Sequence, residues 1–309
     1  PVLAVCPNTA WQKTLTFENL QPGAVNRAES VRECGGGKGI NVARVLRNLG
    51  FPVTVAGFAG GDTGKLLKEE LLQSGAGDLT LSCRNATRCC YTIIDKASGL
   101  ASELIEPSPE IAQNEVQELL KVLEAHMPEF SAVCLSGTLP PGVTAEFYAQ
   151  IATMARQARI PVLLDAFRDV KATLAVGVHM LKINAGELRE LSGETDLSNA
   201  AQKILSAWPV TWLAVTDGAE AAWLFNATQA WRFVIPALPQ IVSPIGAGDC
   251  ASAILVRRMA ERPDPEKMPA CFAEALACAS ASCLTPYPSA FDPADAEKIR
   301  PRICINLCF

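Results

Sequence analysis

Residues 40–75, INVARVLRNLGFPVTVAGFAGGDTGKLLKEELLQSG, decide how the rest of the chain is read. Their centre, VTVAGFAG (53–60), is apolar, rich in β-branched residues and ends on glycine, which reads as a strand. INVARVLRNL before it and TGKLLKEELLQS after it read as helices, stopping at Gly50 and Gly75. Working outward, AVCLSG (132–137), PVLLDA (161–166) and TWLAVTDG (211–218) are short, nearly continuous apolar runs. Such runs fit strands covered on both faces, as in a parallel sheet. Helical segments are expected between them at 109–126, 144–158 and 198–207, the first opening on a Ser108 cap with Pro109 at the first helical position. Repeated β–α alternation implies a mostly parallel α/β sheet with right-handed crossovers.

Two stretches depart from that scheme. Residues 10–33 and 86–104 alternate polar and apolar side chains around turns at Pro22–Gly23 and Ser98–Gly99, so they read as antiparallel ribbons projecting from the sheet. With no internal repeat or low-complexity linker, a single domain over 1–309 is expected, its ligand beyond the carboxyl ends of the parallel strands.

Composition narrows the partners. Lys and Arg number 27 against 32 Asp and Glu, a net charge of −5 that disfavours nucleic acid and anionic membranes. No apolar run approaches the ~18 residues of a membrane span. The first residues, PVLAVCPN, lack the basic and apolar regions of a secretory leader. The 12 cysteines include no CxxC pair and stand beside only 2 histidines, so zinc is not expected. They read as reduced thiols of a cytoplasmic protein.

Two glycine-rich segments carry chemistry. CGGGKGINVAR (34–44) leads into a helix, where bare N–H groups can meet an anion. Neither it nor GGDTGK (60–65) is a GxxxxGK[ST] phosphate loop, and no GxGxxG follows a strand. SPIGAGDC (243–250) opens a second helix, with Asp249 placed to cap it or to take a proton from an attacking hydroxyl. Each segment alone also reads as ordinary turn and cap chemistry.

Together the two segments resemble the signature regions of the PfkB (ribokinase-like) carbohydrate kinases. The resemblance is closest to the 1-phosphofructokinase and tagatose-6-phosphate kinase branch. It continues through NTAWQKT (8–14), VNR (25–27), GFAGG (57–61), Thr87-Arg88, SELIEP (102–107) and SGTLP (136–140). It implies a ribokinase-like three-layer α/β/α sandwich with the two ribbons as a small β-lid, and a homodimer formed through that lid. The implied activity is ATP- and Mg²⁺-dependent phosphoryl transfer to a ketohexose monophosphate, fructose 1-phosphate or tagatose 6-phosphate. Kinases of another sugar, and a catalytically weak sugar-phosphate or nucleotide binder, are the alternatives.

Carried over by position, Asp249 matches the family's base and Gly246, Ala247 and Gly248 its anion hole. Asn184, Thr216 and Gly218 match nucleotide-binding positions, with Glu187 near Mg²⁺ through water. Gly36, Gly37 and Asn41 match positions that hold sugar hydroxyls, and Arg27, Lys38, Arg88 and Ser136 those facing the acceptor's phosphate. The VNR arginine, Arg27, is expected to approach from the lid of a partner subunit. Gln12 stands where an aspartate is usual, Ser243-Pro244 where Asn/Asp-Thr is usual, and Cys250, Ile254, Ile183 and Ala221 also depart from the pattern. Cys34 and Cys250 flank the two motifs, so thiol modification is expected to reach the site.

Overall fold

The computed structural model describes residues 1–219 and 221–308. In chain order β1 (Val2–Cys6), β2 (Ala10–Phe17) and β3 (Ser30–Gly36) precede α1 (Lys38–Asn48), β4 (Val53–Gly60) and α2 (Gly61–Ser74). Next come β5 (Gly77–Cys83), β6 (Arg88–Asp95), β7 (Leu100–Ile105), α3 (Gln113–His126), β8 (Ala132–Ser136) and α4 (Glu146–Gln157). Then follow β9 (Val162–Asp165), α5 (Lys171–Val176), β10 (Val178–Asn184), α6 (Ala185–Ser192) and α7 (Leu197–Ala207). The last third holds β11 (Val210–Asp217), β12 (Ala221–Phe225), β13 (Ala230–Val234), α8 (Ala247–Ala260), α9 (Met268–Ser282), α10 (Pro293–Ile299) and β14 (Cys304–Leu307).

Ten strands form one sheet in the order β14-β13-β12-β11-β10-β9-β8-β1-β4-β5. From β5 to β11 every neighbouring pair is parallel, while β12, β13 and β14 add antiparallel strands at one edge. Strands β1, β8 and β9 are buried along their whole length, which is why they read as unbroken apolar runs. Alternation along β1 splits the core: Val2, Ala4 and Cys6 pack on the side of α1, α2, α8, α9 and α10. Leu3 and Val5 pack on the side of α3 to α7. Helices on both faces of a mostly parallel sheet give the expected α/β/α layering. The helix stops are as read, with Gly50 and Gly75 at positive φ of 70° and 71°.

Helix α3 begins four residues later than its sequence signal. The Ser108 hydroxyl is taken up by the Asn8 side-chain amide at 2.9 Å, and Ile111 donates its N–H to Pro141 at 2.9 Å. Residues 109–112 are therefore tied to the neighbouring loop, and the Glu115 carboxylate instead accepts the Ala112 N–H at 2.8 Å at the true helix start.

The ribbons β2/β3 and β6/β7 are antiparallel, and they join through a parallel β2/β6 pairing into one four-stranded sheet, β3-β2-β6-β7. That sheet stands over the carboxyl ends of the parallel strands. Among the described residues no helix is long and apolar enough to cross a membrane.

Candidate active site

The site grows from the start of α8. Gly246 caps it with φ of 80°, and a side chain there would collide with the Ser289 hydroxyl, which donates to the Gly246 carbonyl at 3.0 Å. Ala247 spends its N–H on the Pro244 carbonyl at 3.2 Å, whereas the Gly248 and Asp249 amides find no acceptor among the described residues. Of the three amides expected to form an anion hole over Gly246–Gly248, the one at Ala247 is spent on Pro244, while the one at Gly248 and the neighbouring one at Asp249 are bare. Two bare N–H groups at a helix N-terminus favour an anion.

Asp249 projects from the first turn into a buried charge cluster. Its carboxylate accepts from the Asn41 amide nitrogen at 2.7 Å. Burial, and then the negative charge of Asp165, push the Asp249 carboxyl up to about 6, against the pull of Lys38, Asn41 and Lys182. Burial would also raise Asp165, but Lys182, Lys38 and the Ser252 hydroxyl outweigh it and hold that carboxyl below its usual range. Lys38 reaches Asp165 at 2.9 Å, Lys182 at 3.3 Å, and Ser252 donates at 2.6 Å. The pairing with Asp165, more than any other contact, raises Lys38 above the ordinary lysine range. One carboxylate is thus fixed as an anion, and the other is kept basic enough to accept a proton near neutrality.

A cavity of about 520 Å³ opens above this cluster, beneath the four-stranded sheet. Gln12, Gly36, Gly37, Lys38, Asn41, Arg88, Asn184, Glu187, Thr216, Gly246, Gly248 and Asp249 all line it. Gly37 has φ of 109°, and a Cβ there would meet the Cys6 sulfur at 2.7 Å, so the loop can pass between β1 and the cavity only as glycine. Gln12 donates to Thr92 at 2.7 Å and keeps its carbonyl uncommitted. Arg88 is bound to the Glu106 carbonyl at 3.3 Å through one terminal nitrogen, while its Nε is buried without a partner. A buried cationic donor without an acceptor marks a position suited to an anionic ligand.

Two expected residues stand elsewhere. Ser136 is fully buried with its hydroxyl against the Cys134 sulfur at 3.0 Å, so Gly137 and Thr138 line the cavity in its place. Alternation along β8 turns the serine inward. Arg27 lies exposed in the β2–β3 connection, outside the lining.

The residues expected on the nucleotide side sit at the ends of adjacent strands, where the register pairs Asn184 with Thr216. Asn184 caps α6: its side chain accepts the Glu187 N–H at 2.8 Å, and the Glu187 carboxylate accepts the Asn184 N–H at 2.9 Å. Glu187 combines this capping role with a place on the cavity wall. Thr216 and Gly248 also border a second, mostly apolar cleft of about 320 Å³ that contains Gly218, Leu238, Ala247, Ala251 and Leu276. Four of the departures are absorbed structurally, since Cys250, Ile254 and Ile183 are buried in the core and Ala221 starts β12.

Asp165, Lys182 and Ser252 are not among the residues expected at the site, and Asn8 and Thr138 are legible only as members of NTAWQKT (8–14) and SGTLP (136–140), without a role. The available signal was a charged residue near the end of an apolar parallel strand, as in VLLD (162–165) and HMLKIN (179–184). Asn8 points its amide nitrogen at Ser108 and Thr138, leaving a buried carbonyl oxygen without a partner at the cavity.

The fold is shared with solved structures of known proteins. Phosphofructokinase-2 from Escherichia coli in complex with potassium is 25% identical, with a TM-score of 0.87 over 97% of this chain and 98% of that one. The same enzyme in complex with fructose-6-phosphate is 24% identical, with a TM-score of 0.85 over 97% and 98%. A carbohydrate kinase from Agrobacterium tumefaciens is 21% identical, with a TM-score of 0.74 over 99% of both chains. Residues 3–295 match the family described as pfkB family carbohydrate kinase. With that match over nearly its whole length, the chain belongs to the pfkB family of carbohydrate kinases, phosphotransferases that use an alcohol group as acceptor.

Proposed function

We propose that the protein transfers the γ-phosphoryl group of ATP to a hydroxyl of a ketohexose monophosphate, with fructose 1-phosphate the first acceptor and tagatose 6-phosphate the second. The observation that carries this reading is the pair of opposite groups facing one cavity. Asp249, a carboxylate made basic by burial, and Arg88, whose buried Nε has no partner, both line it. Asp249 accepts the hydroxyl proton, while the Gly248 and Asp249 amides meet the charge developing on the transferring group. Arg88, with Lys38, takes the phosphate already on the acceptor, and Gly36, Gly37, Asn41 and Gln12 orient its hydroxyls. Nucleotide phosphates lie toward Asn184 and Thr216, with the base in the apolar cleft beyond Gly218. Catalysis is then chiefly positioning and electrostatics, in a space the four-stranded sheet shields from water.

The donor set fits Mg²⁺ carried in with the nucleotide. Among the described residues no three His, Cys, Asp or Glu side chains converge on a metal site, and Mg²⁺ is commonly held by one carboxylate, waters and substrate phosphates. Glu187, on the cavity wall beside Asn184, is the carboxylate that would hold its waters, and the ion would neutralise phosphate charge.

The exposed Val31, Leu100, Leu104 and Ile105 lie on β3 and β7, the edges of the four-stranded sheet, and support a dimer formed lid to lid. In that assembly Arg27 reaches the partner's cavity. Sedimentation velocity tests the dimer, and a monomer at micromolar concentration counts against it.

A coupled ATP-consumption assay over phosphorylated and free sugars tests the activity, with fructose 6-phosphate, the ligand of the E. coli structure, in the panel. Turnover confined to phosphorylated ketohexoses is the expected result. Turnover of free sugars alone makes the protein a kinase of another sugar. Thermal stabilisation by sugar phosphate without turnover makes it a weak binder.

A further inference from the structure

Arg44, one turn beyond Asn41 on α1, does not itself line the cavity and enters no step above. Its guanidinium nevertheless makes three contacts behind the site. Nη1 donates to the Asn41 side-chain oxygen at 2.8 Å, and Nη2 donates to the Gly35 carbonyl at 2.5 Å and pairs with Glu70 of α2 at 3.0 Å. The second Glu70 oxygen accepts the Gly35 N–H. Arginine and glutamate therefore grip both sides of one residue of the glycine loop.

The consequence is the polarity of the Asn41 amide. With its oxygen held by a cation that can only donate, its nitrogen must face Asp249, where it donates at 2.7 Å. The flipped amide would set N–H against N–H at Arg44 and oxygen against oxygen at Asp249. We propose that Arg44 is a positioning residue that fixes the Asn41 amide with its nitrogen toward Asp249, so that the Asp249 carboxylate always has a hydrogen-bond donor. The proposal rests on the reading of Asp249 as the base only for its effect on rate.

The other ionisable groups near enough to act on Asp249 are Asp165 from β9, Lys182 from β10, Lys38 from α1, and the thiols Cys6 from β1, Cys134 from β8 and Cys250 from α8. Burial raises Cys6 and Cys134 to about 11 and about 12 and Cys250 well above its ordinary range, so all three stay protonated while Asp249 titrates. Arg44 acts on Asp249 through Asn41. Without Arg44 the amide is free to turn, and a carboxylate that loses a donor holds its proton more tightly.

The test is the ¹³C-carboxyl titration of Asp249 in the whole protein, its signal identified by loss in Asp249→Asn. In Arg44→Met the midpoint is expected to rise by about one pH unit, a tenfold tighter proton. In an Asn41→Ala background the same substitution is expected to add little, because the intermediary is gone. Arg44→Lys, which keeps one donor, is expected to fall between, and serves if Arg44→Met does not fold. An unmoved midpoint overturns the proposal, as does an equal shift with and without Asn41. The acidic limb of the kcat/KM profile should follow the midpoint. If the carboxyl shifts and the rate profile does not, the relay stands and Asp249 is not the base.

Discussion

Lys182 and Asp165 pair at 3.3 Å between the ends of β10 and β9, with side-chain exposures of 5% and 2%. The pair is part of a chain of charge from Lys182 through Asp165 to Lys38, with Asp249 alongside. Because two cations fix Asp165 as an anion, the second carboxylate meets an occupied negative charge in a buried space. That asymmetry separates the two acids and sets up the predictions below.

Asp249→Asn is expected to lower kcat by about 10²–10⁴-fold, the usual contribution of a positioned base. Nucleotide affinity, measured by calorimetry, should change little, since the Gly248 and residue-249 amides remain. Turnover within tenfold of wild type rules out the assignment.

The same variant should be more stable than wild type above neutrality. A carboxyl raised from 3.8 to about 6 contributes stability below pH 3.8 that is lost as pH rises through 6. Asn carries no such dependence, so the variant's advantage grows between pH 4 and 6 and levels off on the order of 2–3 kcal/mol. Urea denaturation at pH 4.5 and 8 measures it, and equal stability at both values refutes the buried-carboxylate account.

Asp165→Asn should destabilise the protein by about 3–5 kcal/mol at neutral pH, because Lys182 is left buried without its anion. A carboxyl held below its usual range contributes stability above its unfolded value near 3.8 that is lost as pH falls through the folded value. Wild type and variant should therefore converge in acid. A loss below 1 kcal/mol at pH 7, by chemical denaturation, contradicts the buried ion pair.

Arg88→Met is expected to raise KM for a phosphorylated acceptor by about 10–100-fold, the worth of a charge-assisted hydrogen bond, and to leave KM for ATP within threefold. Steady-state kinetics with each substrate varied separates the two. An unchanged acceptor KM removes Arg88 from the phosphate position.

Thiol reagents should distinguish the two cysteines that flank the motifs. Cys34 is half-buried on the cavity wall, whereas Cys250 is fully buried and burial lifts its thiol well above the ordinary range. Slow inactivation by iodoacetamide, slowed further by substrate and abolished in Cys34→Ala, is expected. Full activity after mass spectrometry shows complete Cys34 labelling excludes it.

The sequence by itself determined what local physics dictates. Apolar runs became parallel strands, Gly50 and Gly75 ended helices, and the glycines of 35–37 and 246–248 marked the two loops where backbone approaches the cavity. Alternating stretches gave the two ribbons. Only the tertiary structure decided which side chains meet. Strand register placed Asp165 and Lys182, 17 residues apart, in one buried cluster with Lys38 and Asp249. The turn of β8 took Ser136 out of the cavity, and the grip of Arg44 set the polarity of Asn41. Those outcomes depend on burial and on charges brought together from distant segments, and a pKa or an amide orientation exists only once that environment has formed.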